Sequence, residues 1–148
     1  MLNKKILFYF LILLSSTQIL FANYGFYRKV ANTCKYYRVE IDEKKMQLTK
    51  NTDGSYNFSI EMKSLRNNFE MVMLVGFASA GQAVTHQNNL GLSNAYVPKE
   101  ITVRVNVPAS KGETMVFEAT CSSDIAIDLA AGTLDSSEFM QKIDLQTS

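Results

Sequence analysis

This 148-residue chain holds one histidine and two cysteines, and that scarcity removes whole classes of chemistry. His86 with Cys34 and Cys121, all distant in sequence, lacks the ligand spacing of a zinc site. A Ser-His-acid hydrolase would have to use His86, and no Gly-x-Ser-x-Gly elbow accompanies it. Glycines that cradle phosphate lie between a strand and a helix start, whereas Gly76 and Gly81 fall inside an apolar stretch. Asp124 and Asp128 share a helical face beside Ile125, Ala126, Ile127 and Leu129, which makes them its solvent side. Glu40, Asp42 and Glu43 lack the loop glycine of a calcium site. No cofactor and no metal is expected.

Charge of one sign is also missing. Of the 15 Lys+Arg against 14 Asp+Glu, two lysines sit in the first 22 residues, leaving 13 against 14. A dedicated nucleic-acid binder would show a basic excess. The distribution is uneven, however. Residues 23–68 carry nine basic and five acidic side chains, and residues 69–148 carry four and nine. The plain expectation is that the halves pack together and neutralise each other; the sharper one is a charged patch that steers a partner.

No apolar run reaches the ~20 residues that a bilayer span requires. Residues 1–22 instead read as a secretory signal peptide: Lys4 and Lys5, the apolar run 6–14, then Ser15, Ser16, Thr17 and Gln18 before Ala22. Leu20 is bulky for the position three residues before the cut, so an uncleaved anchor is the alternative. The membrane enters only through that segment. The predicted domains are a signal peptide, 1–22, and a single α+β domain, 23–148. Periplasmic or secreted localisation follows, in a bacterium. In such a compartment two cysteines invite one bridge, Cys34–Cys121. The competing reading is two buried thiols, because Cys121 falls in the inward register of Met115, Phe117 and Ala119.

Residues 23–33 are rich in aromatics without a clear period. Alternation then predicts a half-buried strand over 35–42 and a weaker one over 45–50. Asp53-Gly54 marks a hairpin turn into the cleanest strand, 55–62, with Tyr56, Phe58, Ile60 and Met62 on one face. The period changes after Ser64, a candidate cap. Leu65, Phe69, Val72, Met73, Gly76, Ala80 and Ala83 predict a helix over 65–85. Its thin side, Gly76 to Gly81, suits close approach to a sheet or a second helix. A polar loop follows over 85–98. Residues 100–107 form a strand with Ile101, Val103, Val105 and Val107 inward, paired through 109–112 with another over 113–121. Ser122 or Ser123 opens a short helix that Gly132 ends, and Asp135 with Glu138 forms a capping box for a last helix through Lys142. Residues 146–148 read as a frayed end. The fold expected is α+β, with an antiparallel sheet of two hairpins packed on one face by a long central helix and short C-terminal helices.

No motif is specific enough to name a family. Two surfaces stand out. The outward strand faces carry Lys, Arg, Ser, Asn and Thr, suited to solvent or a polar partner. The region 23–38 concentrates Tyr24, Phe26, Tyr27, Arg28, Lys29 and Arg38, and tyrosine and arginine are enriched at interfaces. The function expected is therefore an exported, non-catalytic protein-binding or envelope-assembly module, with a protein partner or a second copy as its target. A small apolar-ligand carrier is the alternative, with a cleft beside Phe69 and Met73, and a small periplasmic hydrolase is third.

Overall fold

The computed structural model describes residues 24–93 and 95–148, together with Asn3. The proposed cleavage at Ala22 and the apolar run before it lie outside these residues. Among them no helix is long and apolar enough to cross a membrane. The chain is a single α+β fold: helix α1 over residues 24–36, strands β1 (Ile41–Lys50) and β2 (Tyr56–Lys63), helix α2 (Phe69–Leu90), and strands β3 (Pro98–Pro108) and β4 (Thr114–Ser122). Helices α3 (Ser123–Ala131) and α4 (Ser136–Lys142) and strand β5 (Gln146–Thr147) complete it.

The five strands form one sheet in sequence order, and both expected hairpins are present. The sheet is mixed, not antiparallel as the two hairpins alone suggest, because β2 and β3 run parallel. The physical reason is the connection. Helix α2, 22 residues long, spans about 33 Å, enough to return the chain to the end of the sheet where β2 began.

Helix α1 replaces the arm and strand expected over 23–42. Phe26, Val30, Thr33 and Cys34 are all buried, one face of a helix at spacings of four, three and one. It ends in a Schellman motif: the Val39 N–H donates to the Cys34 carbonyl at 2.9 Å and the Arg38 N–H to Lys35 at 3.0 Å. Arg38 takes the left-handed position, φ 58°, where glycine is usual.

Helix α1 runs antiparallel to α2. The Cys34 thiol donates to Ser79 Oγ at 3.4 Å and Thr33 Oγ1 to Gln82 Oε1 at 3.2 Å, while Gly25 abuts the Gln87 side chain. Helix α2 starts four residues later than expected. Ser64 Oγ donates to the Leu65 carbonyl and caps nothing, Asn68 precedes the helix, and Leu65 is exposed. It also runs on to Leu90, where Gly91 ends it in the left-handed conformation, because Gln87, though polar, is buried. The first part of the predicted loop, 85–90, is thus helix.

Both thin positions on α2 do what their size suggests. A Cβ at Gly76 would lie 2.8 Å from Met62 Sδ and 2.9 Å from Val103 Cγ1, so this glycine lets the helix down onto the sheet. At Gly81 a Cβ would lie 2.1 Å from the Ala126 carbonyl oxygen, so here the backbones of α2 and α3 meet. Phe58, Ile60, Met62, Ile101, Val103, Val105, Phe117 and Ala119 fill the core beneath. Ser122 caps α3, Gly132 ends it, and Asp135 and Glu138 form the capping box of α4, all as expected. The end that reads as frayed is instead paired: β5 adds to β4 at Phe117 and Glu118, and Val116 and Ser148 exchange both backbone bonds.

Candidate binding face

Alternation along the strands puts the apolar set under the helices and leaves the opposite sheet face uncovered. One row across this face reads Lys45, Glu61, Arg104, Glu118, alternating in sign over four strands; register sets Glu61 opposite Arg104 and Arg104 opposite Glu118. Arg104 Nε lies 2.7 Å and Nη2 2.5 Å from Glu118 Oε2. Lys45 Nζ lies 3.8 Å from Glu61 Oε1, and Asn106 Nδ2 donates to the same oxygen at 2.8 Å. The next row is uncharged: Gln47, Ser59, Thr102 and Thr120, with the two threonine hydroxyls 2.7 Å apart.

Strand β1 gives this face relief. Between Ile41 and Met46 it uses five steps where β2, from Met62 to Ile60, uses two, so Asp42 to Lys45 bulge. The Asp42 carboxylate accepts from the Lys44 N–H at 3.0 Å and holds the turn. With Lys44 and Lys45 as one wall, the strands enclose an open basin of about 540 Å³, which reaches Thr102, Arg104 and Glu118. The ion pairs are half-exposed. Such pairs contribute little to stability, about 0–1 kcal/mol, so a polar partner can exchange with them at small cost. The basin offers donors and acceptors of both signs.

The residues expected at a partner surface separate. Tyr24 is 60% exposed and Arg28 and Arg38 are exposed. Phe26, however, is fully buried, edge-on to Phe58 at 5.0 Å between centroids. Tyr27 packs against the core, and its hydroxyl accepts from the Leu48 N–H at 2.8 Å, covering part of the edge of β1. Lys29 is half-buried, with its carbonyl bonded by Thr33 Oγ1. The region is a helix that turns Phe26 and Tyr27 into the core and leaves Tyr24, Arg28 and Arg38 exposed.

The expected Cys34–Cys121 bridge is not made: both thiols are free and buried. Burial raises the Cys34 pKa, against a smaller opposing effect of the Ser79 hydrogen bond, and pushes Cys121 up to about 12. Both stay protonated, the reverse of what a thiol nucleophile requires. His86 is exposed on α2. Among the described residues no three His, Cys, Asp or Glu side chains converge to hold a metal. The space an apolar ligand would need beside Gly76 is occupied by Met62 and Val103, and Phe69 stacks on Phe117 at 3.8 Å. Sequence reasoning recognised the outward strand faces as polar. It missed the basin, because the bulge that walls it has no turn glycine or proline to announce it.

The charge asymmetry is not neutralised through ion pairs. Of the two salt bridges found among the described residues, Lys45–Glu61 lies wholly within 23–68 and Arg104–Glu118 wholly within 69–148. No protein-family model, curated protein or solved structure matches the chain.

Proposed function

We propose that this is an exported, non-catalytic module of the bacterial envelope that binds a polar protein partner through the uncovered face of its sheet. The observation that carries this reading is the basin beside the β1 bulge, lined by paired but exchangeable charges. An uncovered antiparallel or mixed sheet face needs only polar side chains to be soluble. A bulge that re-aims two lysines over that face adds shape, and bulges recur beside functional sites. The apolar-carrier alternative has less support, since the helix-to-sheet space it needs is filled.

The test is site-specific photocrosslinking in the living source cell. A crosslinker at Thr102 is expected to trap a discrete partner, one at Ser136 on α4 is not, and Arg104→Glu should abolish the Thr102 adduct. Equal labelling at both positions, or an adduct indifferent to Arg104, would overturn the assignment.

A further inference from the structure

We propose that the end of the molecule formed by the start of α1 and the turn after α2 rests on an anionic lipid surface. The inference relies on export but not on the sheet-face reading. Among the described residues eight large apolar side chains are exposed, and four of them belong to this end: Tyr24 at 60%, Leu90 at 49%, Leu92 at 54% and Val97 at 38%. The contact of Gly25 with Gln87 places the start of α1 against the last turn of α2. Leu90 closes that helix, and Leu92 and Val97 follow in the connection to β3. Clustered exposed apolar groups mark a contact surface more strongly than scattered ones.

Charge supplies the second observation. The first acidic residue of the chain is Glu40, and none occurs between Glu70 and Glu100. The first half of helix α1 carries Arg28 and Lys29 with no acid, and Lys99 stands two residues after Val97. Three acids lie nearby: Asp53 on the hairpin turn, whose low pKa owes most to Ser55 hydrogen bonds and a little to Lys99, Glu100 at the start of β3, and Asp124 in the first turn of α3, next to Ser123, whose hydroxyl donates to the Pro98 carbonyl. Apolar and tyrosine side chains beside Arg28, Lys29 and Lys99, on segments that themselves hold no acid and with the acids set around them, suit the headgroup region of an anionic membrane.

Third, the apolar run 6–14 ends ten residues before Tyr24, a reach of at most about 36 Å. While that segment is in a bilayer, this end is the one held near it. The contact is interfacial, since no described helix spans.

The chain contains no tryptophan, so Leu92→Trp in the full-length protein is a single fluorescent reporter, with circular dichroism confirming the fold. With vesicles of phosphatidylglycerol and phosphatidylcholine, its emission should shift to the blue and be quenched by lipids brominated near the headgroup. A Thr102→Trp reporter on the sheet face should not respond. Adding Arg28→Glu and Lys29→Glu should weaken the preference for anionic vesicles about fivefold or more per charge. If Leu92→Trp stays unchanged while the protein floats with vesicles, the N-terminal segment anchors alone and the proposal fails. A blue shift that depends on protein concentration and not on vesicles assigns the surface to a second copy instead, and also overturns it.

Discussion

On the helix side of the sheet, tolerances are those of atoms already in contact: a methyl group at Gly81 would overlap the Ala126 carbonyl, and one at Gly76 would press on Met62 and Val103. On the other side, Lys45, Glu61, Arg104 and Glu118 meet through half-exposed ion pairs at the rim of an open basin. The same strands build both. The covered face has no spare room, so its sequence is committed to the fold. The uncovered face contributes little to stability, so its chemistry is free to serve a partner.

That contrast can be broken most directly at Gly81. Gly81→Ala drives a Cβ into backbone that cannot rotate aside, and is expected to cost about 3 kcal/mol or more, beyond the usual overpacking range. Urea unfolding measures it; a wild-type midpoint would show that α2 and α3 have room between them. Gly76→Leu should follow at about 2–3 kcal/mol, since Met62 can bend away while Val103 cannot.

Alkali probes the covered face differently. Cys121 is held up to about 12 by burial against an ordinary 9.0. Below pH 9 both folded and unfolded chains keep the proton and its contribution is complete. Above pH 9 only the unfolded chain loses it, so stability falls as the pH climbs towards 12, on the order of 2 kcal/mol by pH 11. Comparing pH-dependent unfolding of the wild type with Cys121→Ala isolates this part; parallel profiles would contradict the burial of that thiol. On the uncovered face, a double-mutant cycle of Arg104→Ala and Glu118→Ala should give a coupling below about 1 kcal/mol. A larger value would mean that this face, too, is committed to stability.

What the sequence revealed follows the same division. Alternation in β2, β3 and β4 separated inward from outward residues, and the capping chemistry of Ser122, Gly132, Asp135 and Glu138 marked both C-terminal helices. Helix α1 was hidden because its buried stripe runs through Thr33 and Cys34, weak apolar signals, while Tyr36 and Tyr37 lie outside the core and imitate a strand. The left-handed Arg38 gave no glycine to mark the helix end. The parallel pairing of β2 with β3 is non-local, and no residue in either strand encodes which neighbour it takes. Strand β5 is held by backbone bonds and shows no side-chain pattern at all. On the candidate face, polarity was legible from alternation, but which cation meets which anion depends on register, and the basin on a bulge.

The parallel join between β2 and β3 also has a bearing on time. Each hairpin closes over a short loop, a matter of microseconds for isolated examples. The join between them closes a far longer loop, because its partners are separated by more than forty residues at every step of the ladder. Late, long-range strand pairing of this kind slows folding and leaves edges open meanwhile. On the export route proposed above, an interval in which β2 and β3 are still apart would also be one in which the chain remains unfolded enough to be threaded across a membrane.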